Sequence, residues 1–293
     1  MAFGLTGEQA EPRLSYGSYL KVPELLQLQK TLADPPQHDE LLFIIIHQIH
    51  ELWFRQLLHE VDAVIARLDD DDVLAAHRLI RRCIEIQRVL VEQVNVLETM
   101  TPNDFLTFRD HLMPASGFQS VQFRELEFVC GLKNPRQLEN YAEGSAERAA
   151  LEARLEGSTL GERFHAMLAR RGFDVGAESD RPSPAPGRSE PASAHATTDF
   201  ERNLHERRTR ALLRIYHDPS SHYDLYLLAE ALIEFDEMFY LWRLRHIAMV
   251  ERMIGSKPGT GGSDGVSYLR ATLARKFFPE LWELRTHLGA NPA

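Results

Sequence analysis

Residues 41–66 read LLFIIIHQIHELWFRQLLHEVDAVIA, and this stretch decides the fold class. It is dense in leucine, isoleucine and aromatic residues and contains neither glycine nor proline. Strands in globular proteins seldom exceed about ten residues, whereas helices of this length are ordinary. The stretch therefore predicts a long α-helix that is buried along much of its surface.

The rest of the chain also predicts helices, and no stretch alternates apolar and polar residues as a half-buried strand would. Helices are predicted over 73–99, after Ser116-Gly117 through Val129, over 147–171, over 221–254 and over 265–287, with a break at Pro279. A shorter helix is predicted between Pro102 and Pro114. We therefore predict an all-α fold, with residues 1–293 forming a single helical-bundle domain.

Composition excludes several classes of protein. The 293 residues carry 33 Lys+Arg against 43 Asp+Glu, a net charge of −10 that argues against a nucleic-acid partner. The longest apolar run, 41–46, is far shorter than the roughly 20 residues of a membrane span. Two cysteines permit a reducing compartment. The N-terminus lacks a basic start followed by an apolar core, so we expect no secretory signal and a cytoplasmic location.

Two segments depart from the helical pattern. Residues 174–198 contain four prolines and few large apolar side chains, which predicts a mobile loop within the domain; a linker between two domains is the alternative. Residues 255–265, GSKPGTGGSDG, contain five glycines and predict a connector that ends the long helix. Backbone amides in such a connector can also hold an anion at a helix N-terminus.

One face of the predicted 221–254 helix is apolar at alternating spacings of four and three residues, with one histidine on it. The face consists of Leu228, Leu232, Phe235, Phe239, Trp242, His246, Met249 and Met253. Arg243 and Arg245 are predicted to flank His246 on other faces. Two interpretations of His246 are open: a core histidine hydrogen-bonded to a carbonyl, or an axial ligand of a planar apolar cofactor such as heme.

Two further groups of residues combine aromatic and polar side chains. Phe43, His47 and His50 share one face of the 41–66 helix, where each histidine needs a hydrogen bond or a ligand. Phe105 and Arg109 are four residues apart, an arrangement that suits an amino-acid ligand because a ring and a guanidinium meet. A structural role is the alternative for both groups, and His50 is equally compatible with a half-exposed or partner-facing position.

Six separated motifs in the right order resemble the tryptophan 2,3-dioxygenase family over residues 13–172 and 200–287. The motifs are SYGSYL (15–20), HDELLFIIIHQ (38–48), ELWF (51–54), FRDHLMPASGFQSVQFRELE (108–127), LWRLRH (241–246) and GTGGSDGVSYL (259–269). The resemblance implies an all-helical homotetramer that holds heme b. The 174–198 segment lies outside the pattern, and His50 departs from it, since the family often has tyrosine there.

The resemblance also implies roles for the matching residues around the heme. It implies that His246 is the proximal iron ligand and that His47 is the distal histidine near the indole nitrogen. Phe43 matches the aromatic residue that packs on the indole, and Phe105 is its pocket neighbour. Arg109 matches the residue that holds the substrate carboxylate.

Two other matching segments are implied to complete the site. Thr260 matches a residue that contacts the amino-acid group of the substrate. Tyr16, Tyr19 and Leu20 match an N-terminal segment that completes the active site of a neighbouring subunit in the homotetramer.

The reaction implied by the resemblance is cleavage of the indole C2=C3 bond of L-tryptophan by O2, which gives N-formyl-L-kynurenine. An alternative within the same fold is a heme monooxygenase that forms a 2-oxindole from tryptophan or a methyl-tryptophan. A non-catalytic heme or tryptophan sensor and a plain helical scaffold are the remaining hypotheses, of which only the scaffold predicts no heme absorption.

Overall fold

The computed structural model describes residues 13–176, 194–259 and 266–289. Over these ranges the backbone forms α-helices, short 3-10 turns and no strand, which confirms the predicted all-α fold. The helices are α1 (Tyr16–Leu20), α2 (Val22–Leu25), α3 (His38–Asp69), α4 (Val73–Leu97), α5 (Pro102–Phe108), α6 (Val121–Val129), α7 (Ala146–Glu156), α8 (Leu160–Arg170), α9 (Ala194–His217), α10 (Tyr223–Ile254), α11 (Val266–Ala271) and α12 (Pro279–His287).

The three long helices form the centre of the fold, because α4 packs extensively against both α3 and α10. They coincide with the predicted helices over 41–66, 73–99 and 221–254. Their facing side chains make up much of the main core, with fully buried Leu57, Val64, Ile80, Ile84, Leu228 and Leu232. The short helix α5 contacts both α3 and α10, so it closes one end of the space between them.

Local signals set several helix ends. The Asp72 side chain caps α4 by accepting from the Ala75 amide at 3.2 Å. Thr101 caps α5 in the same way, and Pro102 occupies the first turn. The predicted helix before Pro114 therefore appears as α5 followed by a 3-10 turn over Arg109–Leu112.

The prediction of a single helix over 147–171 is wrong, because the structure has two helices there, α7 and α8. Gly157 ends α7, and Thr159 starts α8 through a reciprocal capping box with Glu162. The Glu162 carboxylate accepts from the Thr159 amide at 2.7 Å. Glu162 therefore serves as a helix cap, and His165 one turn later is a buried core residue.

The sequence analysis missed helix α9, and the predicted loop over 174–198 is wrong for residues 194–198, which belong to it. The helix is rich in arginine and glutamate, so its few buried apolar residues do not stand out in the sequence. These residues are Leu204, Ala211, Leu212 and Ile215. Helix α9 contacts α12, and Ala211, Leu212 and Ile215 belong to the main core together with Leu281 and Leu284 of α12. Before the gap, Val175 is buried, and residues 177–193 lie outside the described ranges.

The predicted C-terminal helix appears as α11 and α12, and α12 begins at Pro279, where the break is predicted. Across the part of the chain that the structure describes, no helix has the length and apolar character needed to cross a membrane.

His165 predicts a pH dependence of stability. Burial, followed by the nearby Arg208 charge, lowers the pKa of His165 from 6.5 to about 3. Below pH 6.5, His165 is therefore protonated in the unfolded chain but stays neutral in the folded chain. The free energy of unfolding consequently falls as the pH falls toward 3. We expect the free energy of unfolding of the His165→Leu variant, measured with denaturant between pH 7 and 5, to depend less steeply on pH. The slope should be smaller by up to about 1.4 kcal/mol per pH unit. Equal slopes in variant and parent would contradict this account.

Candidate active site

A cavity of about 280 Å³ lies between α3, α4, α5, α6 and α10. Most of its lining is apolar, and a few polar groups interrupt it, as is typical of small-molecule sites. The cavity brings together five of the residues singled out in the sequence: Phe43, His47, Phe105, Arg109 and His246.

His47 is held in one tautomer by its own helix. Its Nδ1 lies 2.7 Å from the carbonyl oxygen of Phe43, one turn earlier in α3, so Nδ1 carries the proton and donates. Nε2 is thereby left with a lone pair. Enclosure of the ring lowers the pKa of His47, which keeps the imidazole neutral. The ring therefore presents a hydrogen-bond acceptor to the cavity.

His50 repeats the arrangement one turn later. Its Nδ1 donates to the Ile46 carbonyl at 2.8 Å, and burial lowers its pKa as well. Its ring centroid lies 6.5 Å from that of His47 and 6.2 Å from that of Trp242. His50 thus lines the cavity and is half-buried.

His246 enters the cavity from α10. Its ring stacks almost parallel on Trp242, with centroids 5.4 Å apart, and hydrogen-bonds to no residue that the structure describes. Burial, and then the nearby His47 and His50, lower its pKa to about 4. Among the described residues no carbonyl accepts from His246, so its neutral ring is available to a ligand.

The predicted apolar face of α10 is confirmed along its length. Six of its eight residues are buried, and the other two, Trp242 and His246, line the cavity. The same spacing that places the apolar residues of α10 in the core therefore places His246 in the cavity.

An aromatic group forms the wall near α5. The rings of Phe43 and Phe105 stack with centroids 5.7 Å apart, and Phe108 meets both edge-on. Next to them, Arg109 Nη2 donates to the carbonyl oxygen of Pro258 at 2.5 Å. The guanidinium retains further N–H groups, so this wall combines a flat apolar surface with a cation.

The glycine connector reaches the same place, since Gly259 lines the cavity. Thr260 itself lies outside the described residues. Arg109 is therefore linked through Pro258 to the segment that carries Thr260.

The N-terminal residues lie elsewhere. Tyr16, Tyr19 and Leu20 belong to α1, none of them lines the cavity, and Tyr16 and Tyr19 are 79% and 70% exposed. Their role in a neighbouring subunit stays a prediction.

Comparison with known proteins identifies the family. The family model of tryptophan 2,3-dioxygenase matches residues 5–171 and 193–288. The chain belongs to the tryptophan 2,3-dioxygenase family. All but two of the unmatched residues 172–192 fall within the proline-rich segment 174–198, which lies outside the sequence motifs.

Relatives with the family name cover nearly the whole chain. A tryptophan 2,3-dioxygenase from a Nocardioides species is 47% identical over 293 residues, 98% of each chain. One from Xanthomonas campestris pv. campestris and one from Xanthomonas oryzae pv. oryzae are each 42% identical over 281 residues, which cover 96% of this chain and 90% of each relative.

The sequence analysis missed one charged group that lines the cavity. Arg243, expected on another face of α10, lines the cavity with its side chain 4% exposed. It pairs with Glu127 of α6, which also pairs with Arg124. Arg243 and Glu127 are more than a hundred positions apart in the sequence, so helical spacing alone cannot predict that they pair.

Proposed function

We propose that this chain is a heme-dependent dioxygenase that cleaves the indole C2=C3 bond of L-tryptophan with O2 to give N-formyl-L-kynurenine. One observation carries the proposal: neutral imidazoles from two helices, His47 and His246, meet in one apolar cavity that Arg109 also lines. The family membership supports the same reaction.

The residues present fit a heme. His246 has a neutral ring with no bonded partner among the described residues, which is what an axial ligand requires. Apolar side chains from α4 and α10 line the same cavity, including Val94, Leu97, Met249 and Met253. We propose that His246 holds heme b through a ring nitrogen. When bound, the heme supplies the binding and activation of O2.

The substrate would be positioned by the α3 and α5 walls. Arg109 binds the carboxylate of tryptophan, because a guanidinium offers paired N–H donors to a carboxylate. Phe43 and Phe105 pack on the indole ring. His47 accepts a hydrogen bond from the indole N–H at Nε2, since its Nδ1 proton is held by Phe43. These contacts orient the C2=C3 bond, and the protein contributes chiefly by positioning.

Both oxygen atoms end in the product, so the proposed reaction consumes no external electron donor. No feature of the cavity favours the 2-oxindole alternative. We further propose that Thr260 contacts the amino-acid group of the substrate. In a homotetramer, Tyr16, Tyr19 and Leu20 of a neighbouring subunit would complete the site. Their exposure is compatible with that role. The two cysteines are unpaired, in keeping with a cytoplasmic location.

The heme ligand is tested by His246→Ala. This variant should lose the Soret absorption of the reconstituted protein while retaining helical circular dichroism, because only the iron ligand is removed. His59→Ala, which changes an exposed histidine of α3 outside the cavity, is the matched control and should bind heme normally. Normal heme binding by His246→Ala would contradict the assignment.

The carboxylate contact is tested by Arg109→Ala. Loss of a charge-assisted pair should weaken L-tryptophan binding by about tenfold to a hundredfold. Indole, which lacks the carboxylate, should bind almost as before. Calorimetric titration of both ligands measures the difference, with Arg252→Gln as a control that removes an exposed arginine of α10. Equal losses for the two ligands would exclude the proposed role.

A further inference from the structure

A short segment between α2 and α3, residues 28–33, is hydrogen-bonded to the side of α3; we call it the strap. The strap meets α3 at Glu40 and again at Gln48, about two turns later. Phe43 and His47, which line the cavity, lie on the stretch of α3 between these two points. The strap therefore runs beside the part of α3 that forms a wall of the cavity.

Burial of apolar side chains accounts for little of the attachment of the strap. Leu28 and Leu32 are 61% and 66% exposed, and Ala33 is the one buried residue of the strap. Since so little apolar surface is buried, hydrogen bonds must contribute much of the free energy that holds the strap against α3.

The strongest of these hydrogen bonds are made by Glu40, which is 1% exposed. One of its carboxylate oxygens accepts from the Leu32 amide at 2.6 Å, and the other accepts from the Ala33 amide at 3.0 Å. In the part of the chain that the structure describes, no basic side chain pairs with Glu40. A buried carboxylate costs free energy unless its oxygens accept hydrogen bonds, and the first turn of a helix stabilises its charge. Glu40 therefore acts as a clamp on two successive amides of the strap.

The second contact, at Gln48, is weaker. Its Oε1 accepts from Gln29 Nε2 at 2.6 Å, and its Nε2 donates to the carbonyl oxygen of Leu28 at 3.3 Å. These are hydrogen bonds between neutral groups near the surface, which stabilise a fold less than hydrogen bonds to a charged group. Glu40 is therefore the principal anchor of the strap.

The clamp acts on residues that pack behind the aromatic wall of the cavity. Ala33 belongs to a small core cluster that also contains Ile46 and Phe108, and Phe43 and Phe105 pack against this cluster. Interiors are close-packed, so loss of one member of a cluster loosens the side chains that rest on it. Fixing Ala33 therefore helps to fix the two rings.

We propose that Glu40, which does not line the cavity, is a positioning residue for the substrate. By clamping the strap it keeps the small core packed behind Phe43 and Phe105, and so holds the surface on which the indole ring binds. The inference rests on the proposed function, because that function places the indole ring on these two side chains.

The clamp is tested by Glu40→Gln in the heme-loaded, full-length protein. This change keeps the size of the side chain but removes its charge and one acceptor oxygen. Deuterium exchange at the amides of Leu32 and Ala33, measured by mass spectrometry of the peptides that cover residues 28–33, should become about tenfold faster or more, because a charge-assisted hydrogen bond protects each amide.

Positioning is tested by the kinetics of the same variant. The KM for L-tryptophan should rise by about threefold to tenfold, as expected for loss of one hydrogen bond's contribution to the binding surface. The kcat should change by less than about twofold, because no group that contacts the reacting atoms is altered. A merely structural role would lower the amount of folded protein and leave KM unchanged.

Two further variants separate the clamp from the charge at the start of α3. Asp39→Asn removes a charge from the same turn, where Asp39 pairs with His38 at 3.9 Å, and should match the unmodified protein in exchange and in KM. Glu40→Asp keeps the charge but shortens the side chain, so it should shift both readouts in the same direction as Glu40→Gln. If Glu40→Gln does not fold, Glu40→Asp provides the same test.

Three results would overturn the inference while leaving the proposed function intact. The first is unchanged exchange over residues 28–33 in the Glu40 variants. The second is faster exchange with an unchanged KM for L-tryptophan. The third is a raised KM in Asp39→Asn and Glu40→Gln but not in Glu40→Asp, which would assign the effect to the helix charge. An unmodified protein that does not turn over L-tryptophan would instead overturn the proposed function, and the inference with it.

Discussion

The site depends on one constraint: imidazole rings that face an apolar cavity must stay uncharged. A protonated ring there would be poorly solvated, and three such rings would also repel one another. Enclosure lowers the pKa of His47, His50 and His246, and the last falls to about 4. Hydrogen bonds from Nδ1 of His47 and His50 to the carbonyl oxygens of Phe43 and Ile46 also fix the tautomer of each ring. Each ring is therefore available as a lone-pair donor at neutral pH.

The cavity keeps its shape because buried polar contacts tie its walls to the rest of the bundle. Asp236 of α10 accepts from the amides of Phe277 and Phe278 at 3.0 and 3.1 Å and from Trp282 Nε1 at 2.9 Å. These contacts dock the start of α12 against α10. Glu127 joins α6 to α10 through Arg243. The C-terminal segment therefore supports the helix that carries His246, although it is remote from His246 in sequence.

Periodicity predicted the parts of this arrangement that lie on single long helices. The α10 face from Leu228 to Met253 and the His47 face of α3 could be placed because their apolar neighbours are regularly spaced. Helix α9 was missed because charged residues outnumber its few buried ones. The Arg124–Glu127–Arg243 group could not be anticipated, since it forms only when α6 meets α10. Assignment of heme, tryptophan and O2 came from motif resemblance and not from spacing.

We propose that a neutral His246 and the residues of the α3 and α5 walls organise a dioxygenation. The most direct test is turnover of L-tryptophan by the reduced, heme-loaded protein under ¹⁸O-labelled O2, with mass spectrometry of the product. The account predicts a ring-opened product that carries two labelled oxygen atoms. A product with one labelled atom, or none despite bound heme, would contradict it.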